Sequence, residues 1–386
     1  MPTIPNTNVK LARQDMCTGC TACVFVCPTS SISMLENKEG FLQPFIDVNT
    51  CNACHRCEEY CPVLHPPTIP SGAKVNVYVA NNNDDSIRVQ SSSGGIFHSI
   101  AKWIIEQGGV VFGARFNDKW EVVHDYCETE DVIQLFMRSK YVQSNVGSTF
   151  IQAKQFLQGG RWVLYTGTPC QIEGLKSYLK DEYDRLLTID FICHGVPSLG
   201  IWRKFLSEFP PKKYSITNID FRDKCNGWHK LTTRINSIDV ESNDEKCLRC
   251  SAYDFPYTIG FYQNYYLRRV CYRCPFKTVH RNSDITLADA WGIESFAPEL
   301  DDDKGSSLVF VHTDKGRRSF HGSFGTIITK EISVSEALYK NKYMYRSVKH
   351  TIFRELFYTL NRFFSVTKCI RIIRFFRIEK NNLKLY

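Results

Sequence analysis

From Val75 onward the chain alternates short apolar runs with amphipathic stretches. Val75–Ala80, Val110–Phe116, Glu121–Tyr126, Trp162–Thr166 and Leu186–Ile192 read as strands. Ile96–Gln107, Asp131–Met137, Thr149–Leu157, Ile172–Lys180 and Leu199–Phe209 carry helical spacing, and Gly108-Gly109 and Gly159-Gly160 close two of these helices. Such alternation predicts an α/β sheet domain whose chemistry lies at strand-to-helix turns. Ahead of it, Ser31–Leu35 and Phe41–Ile46 flank Asn37-Lys38-Glu39-Gly40, a hairpin with Gly40 in the turn. Prolines 66, 67 and 70 with Gly72 make a stiff connection. Near the end, Phe353, Leu356, Leu360, Phe363, Ile370 and Ile373 recur at three or four with one skipped turn, beside a stripe of Lys368, Arg371, Arg374 and Arg377. This predicts a basic amphipathic helix. The divisions are a head at 1–66, a linker at 67–74, a body at 75–335 and a tail at 336–386.

Composition sharpens this outline. Seventeen cysteines in 386 residues exceed chance burial, but are not the density of a small disulfide scaffold. The first ten residues lack the apolar run of a secretory signal, and no stretch is long and apolar enough to span a membrane. A cytoplasmic protein is expected, in which clustered cysteines bind metal. Residues 339–386 hold twelve Lys and Arg against two Glu, so all of the net +8 comes from the tail and the rest is slightly acidic. A nucleic-acid partner is therefore not expected. The tail has three readings: a peripheral contact with the inner, anionic membrane face, a partner-docking helix, or a helix packed on the body with a solvated basic face.

Cys17, Cys20, Cys23 and Cys27 with Pro28 spell C-x2-C-x2-C-x3-C-P, and Cys51, Cys54, Cys57 and Cys61 with Pro62 spell it again. Two-residue gaps let three thiolates wrap one iron–sulfur cube while the fourth reaches the other. Residues 10–66 resemble the two-cluster bacterial ferredoxin domain. That resemblance implies that Cys17, Cys20, Cys23 and Cys61 ligate one 4Fe–4S cluster, and Cys51, Cys54, Cys57 and Cys27 the other. Thr18, Gly19, Thr21, Ala22 and Ala53 are small enough for close backbone; His55 and Arg56 are bulkier than expected around the second cluster.

In the body, two strands end in Thr166-Gly167-Thr168-Pro169-Cys170-Gln171 and Cys193-His194-Gly195, and Cys271-x2-Cys274 precedes the strand Asp284-Ile285-Thr286-Leu287-Ala288-Asp289-Ala290-Trp291-Gly292. With Ser93-Gly94-Gly95 and Arg138–Ser144, these phrases resemble, in order, the coenzyme F420 hydrogenase/dehydrogenase beta-subunit family over about residues 10–312. The resemblance implies an α+β ferredoxin-like head followed by an α/β flavin-type domain, with a basic helical C-terminal tail. It also implies a flavin, FAD or FMN, beside a third 4Fe–4S cluster held by Cys170, Cys193, Cys271 and Cys274. Cofactor contacts would come from Ser93, Gly94, Gly95, Lys140, Thr166, Gly167, Thr168, Gln171, Asp289 and Trp291.

Spacing alone offers a second reading for the later cysteines. Cys247-x2-Cys250 followed by Cys271-x2-Cys274 fits a four-cysteine zinc ribbon. Lys140, which would stabilise a reduced flavin, and His194, which would titrate near neutral pH, are the candidate catalytic groups. The function expected is an iron–sulfur flavoprotein oxidoreductase exchanging electrons with a donor or acceptor protein, a substrate or a deazaflavin-like coenzyme. Family relatives suggest a setting in surface polysaccharide biosynthesis. The alternative is a flavin-less electron-transfer subunit or an accessory protein docking to an enzyme.

Overall fold

The computed structural model describes residues 8–68, 74–211 and 213–382, with side chains described to residue 376. Positions 69–73 of the linker and the side chain of Arg377 lie outside the described residues. The head contains α1 (Ala22–Phe25), the hairpin β1 (Ile32–Glu36) and β2 (Leu42–Ile46), and α2 (Arg56–Glu59). Ile32 faces Ile46 and Glu36 faces Leu42 across the hairpin. Gly40 adopts φ +77° in its turn, where the N–H of Gly40 bonds Asn37 O at 2.9 Å.

The body runs β3 (Asn76–Asn82), α3 (Asp85–Gln90), α4 (Ile96–Glu106), β4 (Val110–Phe116), β5 (Val122–Cys127), α5 (Thr149–Gln158), β6 (Val163–Thr166), α6 (Pro169–Leu179), β7 (Leu186–Phe191) and α7 (Leu199–Glu208). Next come β8 (Tyr214–Asp223), β9 (Thr232–Asp239), β10 (Glu245–Ser251), α8 (Pro256–Tyr262), β11 (Ile285–Asp289), β12 (Ser307–Val311), α9 (Asp314–Gly322), β13 (Ile327–Ile332) and α10 (Val334–Leu338). The chain continues with α11 (Ile352–Leu360) and α12 (Val366–Asn382). Eight strands form one mixed sheet in the order β13-β3-β12-β11-β7-β6-β4-β5. Its centre, β11-β7-β6-β4, is parallel, so four strand ends open on one edge. Apolar side chains of α4 and β4, β6 and β7 fill one side, including Ile100, Ile104, Val111, Leu164 and Leu187. Phe112, Phe150, Tyr165 and Leu175 fill the other.

Several elements differ from the sequence reading. The strand–helix series of the sequence reading omits α3, which is capped by Asp84, whose carboxylate accepts the Ser86 N–H at 2.8 Å. Residues 130–136 form a 3-10 helix. α6 starts at Pro169, not Ile172, because Pro suits the first helical position and the Gln171 side chain accepts the Thr168 N–H at 3.0 Å. Cys170 therefore lies in the first turn of a helix. The antiparallel sheet β8-β9-β10 was not foreseen, since its few apolar positions, Ile219, Phe221 and Ile235 among them, are interrupted by polar residues and β8 is bulged against β9.

The end of the chain packs on the body. Phe357, Val366, Cys369, Ile370 and Ile373 join Trp202, Phe205 and Tyr257 in one apolar cluster, while Lys368, Arg371 and Arg374 face outward. Phe363 was expected on the apolar face, but it is 78% exposed because the helix breaks between α11 and α12. No helix of the described residues is long and apolar enough to cross a membrane.

Candidate functional site

The two cysteine motifs share one backbone design. Gly19 and Thr21 in the first, and Ala53 and His55 in the second, occupy the same motif positions and all adopt positive φ, at 72°, 70°, 53° and 58°. Left-handed turns at residues with a Cβ are strained and persist where the surroundings demand them. Here they turn the loop around a common centre, and α1 and α2 follow. His55 and Arg56 do not crowd that centre: the His55 ring pairs with Glu58 at 3.0 Å, and Arg56 lies over Tyr60 at 5.7 Å.

Cys17, Cys20, Cys23 and Cys61 line one cavity together with Leu11, Met34 and Val63. Burial, with Cys17 and Cys61 adding, pushes the Cys20 thiol up to about 12. Cys23 is driven well above its ordinary value by burial and then by Cys20, Cys17 and Cys61. Clustered thiolates in such a place need a multiply charged metal centre between them. Cys27 and Cys57 are electrostatic neighbours in the second group. Cys57 is pushed to about 11, chiefly by burial. Burial raises Cys27, but the Thr29 and Ser31 donors together outweigh it, and the thiol falls below its ordinary value.

A third group gathers at the strand ends. Cys170 is driven well above its ordinary value by burial, with Cys274, Cys193 and Cys271 adding. Cys271 is pushed to about 12 by burial, with Cys193 and Cys274 adding. The four cysteines named by the family resemblance are thus brought together. Cys247 and Cys250 lie instead on β10, paired with Asn236 and Thr233 of β9. Three residues apart on a strand, their side chains point to opposite faces, so they form no zinc knuckle. Among the described residues no three His, Cys, Asp or Glu side chains converge closely enough for a single metal ion. Ligands of a four-iron cube sit at separate corners and spread wider than those of a mononuclear site.

Buried cations surround this third group. Lys277 donates to the carbonyl oxygens of Cys193 and, at 2.7 Å, Tyr343; both are neutral. Arg281 pairs with buried Asp190 at 3.2 Å. Arg268 is 2% exposed and donates to Cys17 O at 2.7 Å, Leu42 O at 2.5 Å and Gln143 Oε1 at 3.0 Å. Cations without acids are unfavourable in an interior unless an anion faces them, which an iron–sulfur cluster ligated by four thiolates supplies. The donor set therefore fits such a cluster. Sequence patterns did not single out Arg268 or Lys277; the one hint is a pair of arginines, Arg268-Arg269, inside an apolar stretch three residues before Cys271.

The remaining candidates divide. Lys140 is half-buried; it donates to Met137 O at 2.6 Å, and burial, then Arg138, lowers it to about 7. Nearby His124, which the sequence did not reveal, bonds Thr166 O at 2.9 Å and is lowered to about 4, mostly by burial. Lys140 therefore lies within electrostatic reach of His124, whose ring is bonded to the Thr166 turn. Gln171 reaches Ser144 Oγ at 2.9 Å, and Gly167 lies beneath the Gln171 side chain. Asp289 pairs with buried Arg222 at 2.8 Å, and Trp291 stacks on Trp228 at 4.7 Å. Ser93 and Gly94 are bound into the sheet: the Ser93 hydroxyl donates to Ser306 O, and Gly94 N–H to Ser307 Oγ at 2.9 Å. Arg222 and Trp228 both donate to Ser92 O, which joins the Ser93-Gly94-Gly95 turn to Asp289 and Trp291. His194 is separate. Its ring bonds Asn264 Oδ1 at 2.7 Å between Phe261 and Tyr343, and burial lowers it to about 4, so it is neutral near pH 7.

Repeated cysteine loops on an α/β sheet, with a third cysteine group at its strand ends, define an iron–sulfur electron-transfer protein. Residues 16–64 match the 4Fe–4S dicluster domain, and residues 160–333 match the C terminus of the coenzyme F420 hydrogenase/dehydrogenase beta subunit. The chain is therefore similar to this beta-subunit family through residues 160–333 and carries an N-terminal ferredoxin domain. One similar solved structure is the xenon-derivatised F420-reducing nickel–iron hydrogenase complex from Methanosarcina barkeri, 16% identical, with a TM-score of 0.46, covering 72% of this chain and 93% of that one. No curated protein matches the chain.

Proposed function

We propose that the chain is an iron–sulfur flavoprotein that carries electrons between its head and a two-electron site at the sheet edge. The observation that carries this reading is a close approach. Cys20 of the head packs on Gly174 of α6, where an added Cβ would stand 2.7 Å from the Cys20 Cβ. Gly174 is one helical turn from Cys170, so one helix connects the first head group to the body group. When bound, 4Fe–4S clusters supply one-electron transfer and a flavin converts it to hydride-level chemistry.

The chain's own residues hold and orient these groups. Cys17, Cys20, Cys23 and Cys61 form the inner head site, Cys27, Cys51, Cys54 and Cys57 the outer one, and Cys170, Cys193, Cys271 and Cys274 the body site. Lys140, with one carbonyl partner and two donors left, fits the anionic edge of FAD or FMN. The Thr166–Gln171 turn, Ser93-Gly94-Gly95, Asp289 and Trp291 border that place. His194, neutral and held by Asn264, orients the loop that carries Cys193. The partner is a redox protein or a deazaflavin-like coenzyme.

Iron, acid-labile sulfide and flavin, quantified on protein purified without oxygen, test the reading. About twelve irons and one flavin per chain support it. About twelve irons without flavin would make the chain an electron-transfer subunit serving another enzyme.

A further inference from the structure

Two arginines are buried where the head meets the body, and their surroundings differ. Arg354 of α11 is 0% exposed and holds both Glu39 oxygens, at 2.9 and 2.6 Å, with Leu267 O at 3.1 Å. Its charge is balanced by a carboxylate. Arg268, beside that same Leu267, has only neutral oxygens: Cys17 O, Leu42 O and Gln143 Oε1. The Phe41 ring lies 4.9 Å from its guanidinium carbon.

Arg268 touches two cysteine groups at once. A Cβ on Gly19, at φ +72°, would stand 2.6 Å from its Nη2, so only glycine leaves room for the guanidinium inside the first cysteine loop. Its backbone joins the other group: Arg268 N–H donates to Val196 O and its carbonyl accepts from Cys271 N–H, both at 2.9 Å. An unbalanced cation in a low-dielectric interior acts over a longer range than one in water.

We propose that Arg268 is a positioning residue that sets the reduction potentials of two of the three clusters. Its charge raises those held by Cys17, Cys20, Cys23 and Cys61 and by Cys170, Cys193, Cys271 and Cys274, and leaves the one at Cys27, Cys51, Cys54 and Cys57 unchanged. This rests on the cluster reading above. Reduction adds one negative charge to a group that is already anionic, so a fixed neighbouring cation favours the reduced form.

The test is an anaerobic redox titration of the full chain followed by electron paramagnetic resonance, with Cys54→Ala assigning the outer signal. In Arg268→Gln the inner and body midpoints should fall while the outer one stays. In Arg268→Lys, which keeps the charge but not the forked bonds, they should stay near wild type. Unmoved midpoints in an iron-replete Arg268→Gln protein would overturn the proposal, as would an equal fall in both variants. If Arg268→Gln loses its iron, Arg268→Lys decides: wild-type midpoints support the charge role and lowered ones contradict it. Wild-type protein without iron would overturn the cluster reading itself, and this proposal with it.

Discussion

The two cysteine loops of the head are near copies in backbone and opposites in setting. Both use two left-handed residues and a four-residue helix. The first is enclosed: Cys20 rests on Gly174, Cys17 O receives Arg268, and Gln143 donates to Thr18 O at 2.9 Å. The second opens outward, with Cys54 exposed. Ligand spacing thus builds the cradle, and what packs against it assigns the task. The enclosed loop faces the body; the open loop faces outward.

The largest break in this comparison is loss of a ligand. Cys54→Ala should remove about four irons and leave the enclosed site spectroscopically intact. Cys20→Ala should remove a similar amount and also stop electrons from reaching the body, as read by slowed reduction of the body signal by a head-side donor. Equal loss of transfer in both variants is consistent with a serial path; undiminished transfer in Cys20→Ala would separate head from body.

Glu39→Gln comes next. It strips the balancing charge from buried Arg354 and should destabilise the chain by about 3 kcal/mol in denaturant titration. Burial raises the Glu39 pKa, but hydrogen bonds and charge from Arg354, joined by Arg269, outweigh it, so the carboxylate is held below its ordinary range. Its contribution is therefore complete above the unfolded value and lost as the pH falls through the lower folded value. The stability gap between Glu39→Gln and wild type should narrow in acid. A gap independent of acid would mean that the pair does not hold the head on the body.

Gly174→Ala tests the close approach itself. The added methyl meets the Cys20 Cβ at 2.7 Å, so about 1–3 kcal/mol of head docking should be lost, visible as faster proteolysis of the linker. The last variant, Lys140→Met, reads out as a pH slope. Burial lowers Lys140 to about 7, so between that pH and its ordinary value the unfolded chain holds a proton that the folded chain lacks, and stability rises with pH. Removing Lys140 should subtract up to about 1.4 kcal/mol per pH unit from that slope. Lys224, also lowered to about 7 by burial, keeps a similar share.

The parts legible in the sequence were those set by local rules. Cysteine spacing, the hairpin around Gly40 and the alternation from β3 to α7 all follow from periodicity and turn chemistry, and the structure contains them. Other features depend on residues far apart in the chain. The polar, bulged strands β8–β10 have no clear alternation, and Cys247-x2-Cys250 imitates a knuckle until a strand separates its thiols. Arg268 is indistinguishable in sequence from a surface arginine; only the Cys17, Leu42 and Gln143 oxygens around it mark it as interior. The tail's basic stripe was visible and packing on the body was one of its three readings, but the α7 and α8 residues it packs against lie far away in the chain.

The most direct measurement is iron and sulfide on anaerobically purified wild type beside a Cys170→Ala, Cys271→Ala double variant. A body cluster reached through α6 predicts about twelve irons falling to about eight, with both head signals retained. About eight irons in both proteins would contradict the account, leaving the head to pass its electrons to a partner directly.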